Sequence, residues 1–259
     1  MVVRIGTSGF LYEHWRGRFY PSSARGTELE RFAEQFDTVE LNVTFYRMPA
    51  RATFRSWAAR VPPGFLFAVK ASRYLTHVLR LREPRDAVSR LVERSRELGS
   101  HLGPILIQLP PDMPADLRRL EATLDAFPPD MRVAVEPRHA SWFTDELRGM
   151  LTDRMVVLCL ADRRGAISPT WRTADWTYLR FHGGRAKPSS CYGEQAIAGL
   201  AQRLAQVGPV SEAFAYFNND HSGCALRDAA RFGRRLVLEG FDVRHVPNIG
   251  DDVVDWKLA

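Results

Sequence analysis

The sequence predicts an α/β protein that folds as a single (β/α)8 barrel of the TIM type. Three observations lead there. Eight short apolar runs recur along 259 residues. Their starts lie 21 to 39 residues apart, close to the roughly 30 residues of a strand–helix unit. The total length is near the ~250 residues of one such barrel.

The runs occupy residues 2–7, 38–41, 66–70, 105–109, 133–136, 156–160, 177–181 and 213–217. They are rich in Val, Ile, Leu and Phe, as strands buried on both faces should be. Several segments between them have helical periodicity. Leu29, Phe32, Ala33 and Phe36 fall at i, i+3, i+4 and i+7, with Thr27 placed as a cap. Pro84 opens a segment in which Ala87, Val88, Leu91, Val92, Ser95 and Leu98 form one stripe, and Gly99 can close it. Pro114 opens another through Leu117, Leu120 and Leu124. Ala225, Leu226, Ala229, Phe232, Leu236 and Val237 make the last. Only residues 161–176 separate the sixth and seventh runs, and Gly165 and Pro169 interrupt them, so the sixth helix should be short or replaced by a loop. Residues 1–240 read as the barrel domain and 241–259 as a C-terminal tail.

Composition excludes several classes. Hydrophobic residues at 45% and charged residues at 25% argue against a disordered chain. No run approaches the ~18 apolar residues of a membrane span, and residues 1–30 contain no signal-peptide core, so a soluble cytoplasmic protein without membrane partners is expected. Cys159, Cys191 and Cys224 are too few and too scattered for a disulfide framework or a zinc-finger pattern. The formal charge is +6, and only Lys70, Lys187 and Lys257 are lysines. Residues 47–96 hold twelve basic side chains against Glu83, Asp86 and Glu93, a net of +9. Such a field favours an anionic substrate, a phosphate or a nucleic acid.

Strand parity sharpens this. Side chains alternate faces, so apolar residues packed on helices leave their neighbours pointing inward. By that rule Glu40 and Asn42, Lys70, Gln108, Glu136 followed by Arg138, Arg180 and His182, and Tyr216 and Asn218 face inward at the carboxyl ends of their strands. A barrel interior is a packed core, so polar groups crowded at one end call for an active site there, the alternative being a structural ion-pair network such as Glu40–Lys70 and Glu136–Arg180.

The sequence resembles the YecE-like family, also called domain of unknown function 72. The resemblance rests on IGTSGF (5–10), WRGRFYP (15–21), VELNVTFY (39–46), FAVKAS (67–72) with LTH (75–77), LG..LG..L.QLPP (98–111), VEPRHASW (135–142), LRFHG (179–183) and YFNND (216–220) with Gly223 and Ala225. It implies a TIM-type barrel and no particular reaction. Phe10 stands where the family usually has Trp, and Pro137 where it has an aromatic; Pro137 lacks an N–H, which suits a strand end. The segment after Gly240 lies outside the resemblance.

These residues point to a hydrolase, lyase or isomerase acting on a small anion, with phosphorylated sugars or nucleotides first. Glu136 and Glu40 can work as acid and base if their environments separate their pKa values. Lys70 serves as an electrostatic clamp in preference to a Schiff-base nucleophile. Arg138 and Arg180 suit bidentate binding of phosphate or carboxylate. His182 is a candidate proton shuttle, in a loop that ends at Tyr192. Asn42, Tyr46, His77, Gln108, Asn218, Tyr192 and Trp15 complete the substrate-binding set, the aromatics either stacking on a ligand or roofing the barrel. Cys191 falls in a loop expected to be flexible. A divalent metal is compatible with Glu40, Glu136, Asp162 and His182 as ligands, but no closely spaced ligand motif signals one, and no other cofactor is signalled. The alternatives are a nucleic-acid-binding or nucleic-acid-processing protein using residues 47–96, and a non-catalytic protein that binds an anionic metabolite. The sequence carries no signature of an oligomeric state.

Overall fold

The computed structural model describes residues 1–23, 26–163, 166–187 and 189–254. Its strands are β1 (Val2–Thr7), β2 (Thr38–Leu41), β3 (Leu66–Lys70), β4 (Leu102–Gln108), β5 (Val133–Glu136), β6 (Val157–Leu158), β7 (Leu160–Arg163), β8 (Ala166–Ile167), β9 (Trp176–Phe181), β10 (Glu212–Phe217) and β11 (Asp242–Val243). Its α-helices are α1 (Glu28–Ala33), α2 (Val43–Tyr46), α3 (Arg51–Ala58), α4 (Arg85–Ser95), α5 (Leu117–Leu124), α6 (Asp145–Asp153), α7 (Glu194–Ala205) and α8 (Cys224–Leu238). Each of the eight apolar runs forms a strand. The sixth is divided: β6 pairs with β5, whereas β7 pairs with β9.

The strands form two sheets, ordered β11-β1-β10-β9-β7-β8 and β2-β3-β4-β5-β6. The pairs with a described register are parallel, except the hairpin β7–β8. This is an α/β fold with parallel sheets; the pairings do not show the strands closed into one barrel. The chain divides into two compact units, Met1–Val39 with Leu160–Thr170 and Asp175–Ala259, and Glu40–Cys159 with Trp171–Ala174.

In the first unit the predicted last helix is α8, whose Phe232 and Leu236 are buried with Ile5, Leu179, Phe181, Ala215 and Phe217 of the sheet. The Phe181, Phe217 and Phe232 rings lie within 5.7 Å of one another, centroid to centroid. β11 pairs with β1, Val2 opposite Asp242 and Val3 opposite Val243, so the expected tail contributes a strand to this sheet. Its residues 255–259 lie outside the described residues. Thr27 precedes α1 without a side-chain cap; the Glu28 carboxylate instead accepts from the Gly26 N–H at 2.7 Å. Where the sixth helix was expected to be short or replaced by a loop, the short pair β7–β8 stands; Gly165 lies outside the described residues.

In the second unit Phe67, Val69, Ile105, Ile107, Val133 and Val135 are buried together with Val88 and Leu91 of α4 and Leu120 and Leu124 of α5. Helix α5 starts after Asp116, not at Pro114, because the Asp116 carboxylate accepts from the Arg119 N–H at 3.1 Å. Gly99, at φ 57 and ψ −129, turns the chain out of the helical path before β4, as its position after the α4 stripe predicted.

Candidate functional site

In the second unit the register places Gln108 beside Glu136 and Lys70 beside Leu106, so Lys70, Gln108 and Glu136 share one face at the carboxyl ends of β3, β4 and β5. All three are buried, as is Glu40 on β2. A carboxylate without solvent needs a counter-charge; Arg138 Nε supplies one to Glu136 Oε1 at 3.1 Å. Lys70 Nζ sits 4.3 Å from the centre of the Phe45 ring. The hydroxyl of Thr44 bonds the Lys70 carbonyl at 2.7 Å, tying α2 to the end of β3. Phe45 in turn meets Tyr46 and His77 edge-on, each at 5.1 Å. Tyr46 is 80% exposed, so this cluster opens to solvent on that side. The side-chain oxygen of Asn42 is buried and has no hydrogen-bond partner among the described residues. His77 lies in a π-helical turn, Tyr74–Val78. Its pKa is lowered, first by partial burial and then by the charges of Arg138, Arg73 and Lys70, with Asp112 opposing them.

The first unit carries a second polar cluster. Arg180 is fully buried on β9, in register with Tyr216 and Ala161. The His182 main-chain N–H donates to Asp162 Oδ1 at 2.7 Å, and the Asn218 amide donates to His182 Nδ1 at 3.1 Å. The Tyr192 hydroxyl donates to the other Asp162 oxygen and accepts from the Gly183 N–H at 2.9 Å. Burial pushes the Asp162 pKa up to about 6, against the hydrogen bonds from Tyr192 and His182. The Tyr192 N–H donates to Asp228 at 2.8 Å, and Arg227 and Asn219 also donate to that carboxylate. Burial raises the Asp228 pKa while Arg227 pulls it back.

Two expectations are corrected in this unit. Cys191 and Cys224 form a disulfide, and both are fully buried. The loop that ends at Tyr192 folds into a hairpin, bridged Gly184 to Ser190, which carries Cys191 back to the start of α8. A Cβ on Gly184 would strike the Cys191 carbonyl, so only glycine admits this closure. A separation of 33 residues gives no hint of such a return. The packing alternative also describes two of the aromatics. Trp15 is 1% exposed, stacks on Phe32, and donates its indole N–H to Asp220 at 2.8 Å, which His14 Nε2 also meets at 2.8 Å. Tyr192 is 3% exposed. Neither offers an open ring face.

The structure thus gathers Lys70, His77, Gln108, Glu136 and Arg138 in one unit, with Glu40, Asn42 and Tyr46 on the same unit, and places Arg180, His182, Asn218, Tyr192 and Trp15 in the other. Sequence reasoning missed Phe45 as a seat for Lys70, Arg73 as a neighbour of His77, and the Arg227–Asp228 pair. Among the described residues no three His, Cys, Asp or Glu side chains form a group that could hold a metal. In the basic stretch 47–96, Arg51 pairs with Glu93 and Glu97, Arg55 with Glu97 at 2.8 Å, Arg80 with Asp112 at 3.0 Å and Arg96 with Asp130 at 3.0 Å. No described helix is long and apolar enough to cross a membrane.

Parallel sheets interleaved with helices, with polar groups at the carboxyl ends of the strands, define the broad class: an α/β protein with parallel sheets. Within it, the chain belongs to the family described as "Protein of unknown function DUF72", whose model matches residues 4–249 and so takes in β11. The UPF0759 protein YecE of Escherichia coli strain K12 is 31% identical over 118 residues, which are 45% of this chain and 43% of that one. The chain thus spans less than half the length of that relative. The UPF0759 protein YunF of Bacillus subtilis strain 168 is 24% identical over 87% of this chain and 90% of its own. Among solved structures, a DUF72 family protein from Thermotoga maritima superposes with a TM-score of 0.79 at 27% identity, covering 92% of this chain and 100% of that one. One from Enterococcus faecalis gives 0.77 at 20% identity, covering 91% and 95%.

Proposed function

We propose that the protein is an enzyme of the hydrolase, lyase or isomerase kind acting on a small anion, a phosphorylated sugar or nucleotide, at the carboxyl ends of β3, β4 and β5. One observation supports the reading above the others: Lys70, Gln108 and Glu136, with Arg138 bonded to Glu136, share one face at the carboxyl ends of three neighbouring strands. Cations and carboxylates side by side at strand ends are the groups that binding and proton transfer on a small anion need. Lys70 and Arg138 would hold the anionic group, Gln108 and Asn42 would orient it, and Glu136 and Glu40 are the candidate acid and base. Arg180, His182 and Asn218, expected on the same strand-end rule to face a ligand, belong to the other unit's hydrogen-bonded cluster and are left out of this proposal. The closure of the eight long strands into a single (β/α)8 barrel remains part of this proposal, supported by their count and spacing.

Nucleic acid is the weaker partner for residues 47–96, since Arg51, Arg55, Arg80 and Arg96 already face carboxylates. A non-catalytic metabolite-binding protein differs only in turnover. Thermal shift against phosphorylated sugars, nucleotides and inorganic phosphate tests the anion site, and turnover of whichever compound binds separates the enzyme from the metabolite-binding protein. A ligand present at 100 times its Kd stabilises by about 2.7 kcal/mol. Arg138→Gln should remove most of that response. Equal responses in wild type and variant, or none to any anion, would defeat the proposal.

A further inference from the structure

Of Trp15, Tyr46 and Tyr192, each expected either to stack on a ligand or to roof the fold, only Tyr46 is open to solvent. It does not stand alone. Eight large apolar side chains are exposed among the described residues, and four of them, Val43, Tyr46, Tyr74 and Val78, lie on two short segments, α2 and the turn Tyr74–Val78. Solitary exposed apolar residues are ordinary, whereas a group of them marks a binding surface. The two segments meet: the Phe45 and His77 rings lie 5.1 Å apart, edge to face.

Both segments are held in place. The Thr44 hydroxyl lies 2.7 Å from the Leu41 carbonyl and 2.7 Å from that of Lys70, which fixes α2 on the ends of β2 and β3. In the turn, the Leu79 N–H reaches back to the Tyr74 carbonyl at 2.8 Å, and the Thr76 hydroxyl donates to the Ser72 carbonyl at 3.1 Å. An aromatic ring presented on a fixed backbone loses little freedom when a ligand covers it. Each segment also sets an arginine beside its tyrosine. Arg47 follows Tyr46 and Arg73 precedes Tyr74; both arginines are exposed, and neither pairs with a carboxylate among the described residues.

Ring faces next to arginines fit a ligand that is both planar and anionic. Lys70 is buried close by. Its Nζ is 4.3 Å from the centre of the Phe45 ring, and Phe45 meets Tyr46 at 5.1 Å, so Nζ and the Tyr46 ring are no farther apart than those two distances laid end to end. That is the scale on which one nucleotide separates its phosphate from its base.

From this geometry we infer that the ligand is a nucleoside monophosphate, its base stacked on Tyr46 and its phosphate directed to Lys70. The inference rests on the anion-binding reading above and narrows it, since a phosphorylated sugar alone leaves the exposed rings uncovered. A buried ammonium is reached by a terminal phosphate and not by the internal diesters of a strand lying across the surface, so a mononucleotide fits where a polynucleotide does not. Tyr46 is thus a specificity-determining residue. It sets the preference for a base and adds nothing to the hold on phosphate.

Calorimetric titration of the full chain with the common ribonucleoside monophosphates, their nucleosides, ribose phosphate and a single-stranded oligoribonucleotide tests this. At least one monophosphate should bind about tenfold more tightly than ribose phosphate, as stacking of one base on a tyrosine provides. Tyr46→Ala should abolish that difference by weakening the monophosphate alone, and Tyr46→Trp should preserve it. Equal affinities for ribose phosphate and every monophosphate, or a preference that survives Tyr46→Ala, overturns the stacking assignment and leaves the anion site standing. A nucleoside that binds as tightly as its monophosphate, and only through Tyr46, defeats the anion reading and with it the phosphate half of the inference. An oligoribonucleotide that binds more tightly than any monophosphate overturns the mononucleotide in favour of a nucleic-acid surface. Absence of binding by all of these compounds defeats both readings.

Discussion

The two polar clusters are built in opposite ways. Around Asp162 and Asp228 the groups spend their hydrogen bonds on one another: Tyr192 bridges both carboxylates, Asn219 and Arg227 close one end, and a disulfide clasps the loop that carries Tyr192. Around His77, by contrast, the charges of Arg138, Arg73 and Lys70 act on an imidazole that meets Phe45 edge-on, and Lys70 Nζ sits over that same ring. A polar residue at a strand end is thus not in itself a sign of ligand binding. What distinguishes the clusters is saturation. In the first, each carboxylate takes several donors from its own neighbours; in the second, a half-buried imidazole lies among cations, one of which, Arg138, is shared with Glu136.

The largest effect should come from breaking the saturated cluster. Asp228→Ala leaves Arg227 buried at 2% exposure without its carboxylate. An orphaned buried charge costs about 3–5 kcal/mol, which should appear as a large fall in the urea midpoint. His77 should titrate as before. A loss below about 1 kcal/mol would show that the hub is not structural. Replacing Cys191 and Cys224 with Ser comes next. Freeing a loop of 33 residues should cost about 3–4 kcal/mol by chain entropy. Dithiol reductant should lower the wild-type midpoint and leave the double variant unmoved; equal sensitivity would argue against the bond.

Much of this was legible beforehand, because period-2 and period-3.6 patterns report burial directly. All eight runs became strands, and the parity rule put Lys70, Gln108 and Glu136 on one face. The stripe of α8 was equally plain. Helix α7 went unread although Ile197, Leu200, Ala201 and Leu204, all buried, follow the same spacing, so its signal was present. Helices α3 and α6 bury only Phe54, and Leu147 and Leu151, respectively, too few to mark a face. The disulfide was unreadable because a loop's return path depends on tertiary packing. His77 was visible as a loop histidine, but its importance lies in a π-turn and in Arg73 and Arg138, which no local pattern brings together.

Acidity distinguishes the clusters more gently. Asp162 and, in the same unit, Asp37 have folded pKa values pushed up by burial to about 6 from 3.8. A carboxyl raised on folding holds more protons folded than unfolded between those two values. Stability contributed by each group therefore rises as pH falls from about 7 towards 4, and is lost as pH climbs through the folded value. Each should add about 1 kcal/mol between pH ~7.5 and ~5. Asp162→Asn should flatten that part of the stability–pH curve and leave the share of Asp37. An unchanged slope would mean that Asp162 is ionised in the folded protein throughout.

Salt gives the smallest and most selective effect. Arg73 is exposed and His77 only half-buried, so ions reach the field between them; at 0.1 M the screening length is ~10 Å. Raising ionic strength should weaken the push of the cations and move the His77 midpoint upward. Arg73→Gln should move it the same way, by less than Arg138→Gln, because the charge of Arg138 acts on the ring more strongly. In Arg73→Gln the remaining salt response should shrink, while stability stays within about 0.5 kcal/mol of wild type. The buried Asp162 should titrate alike at both salt concentrations. If His77 also ignored salt, the field on it would come from desolvation alone, and the contrast between the two clusters would lose its electrostatic basis.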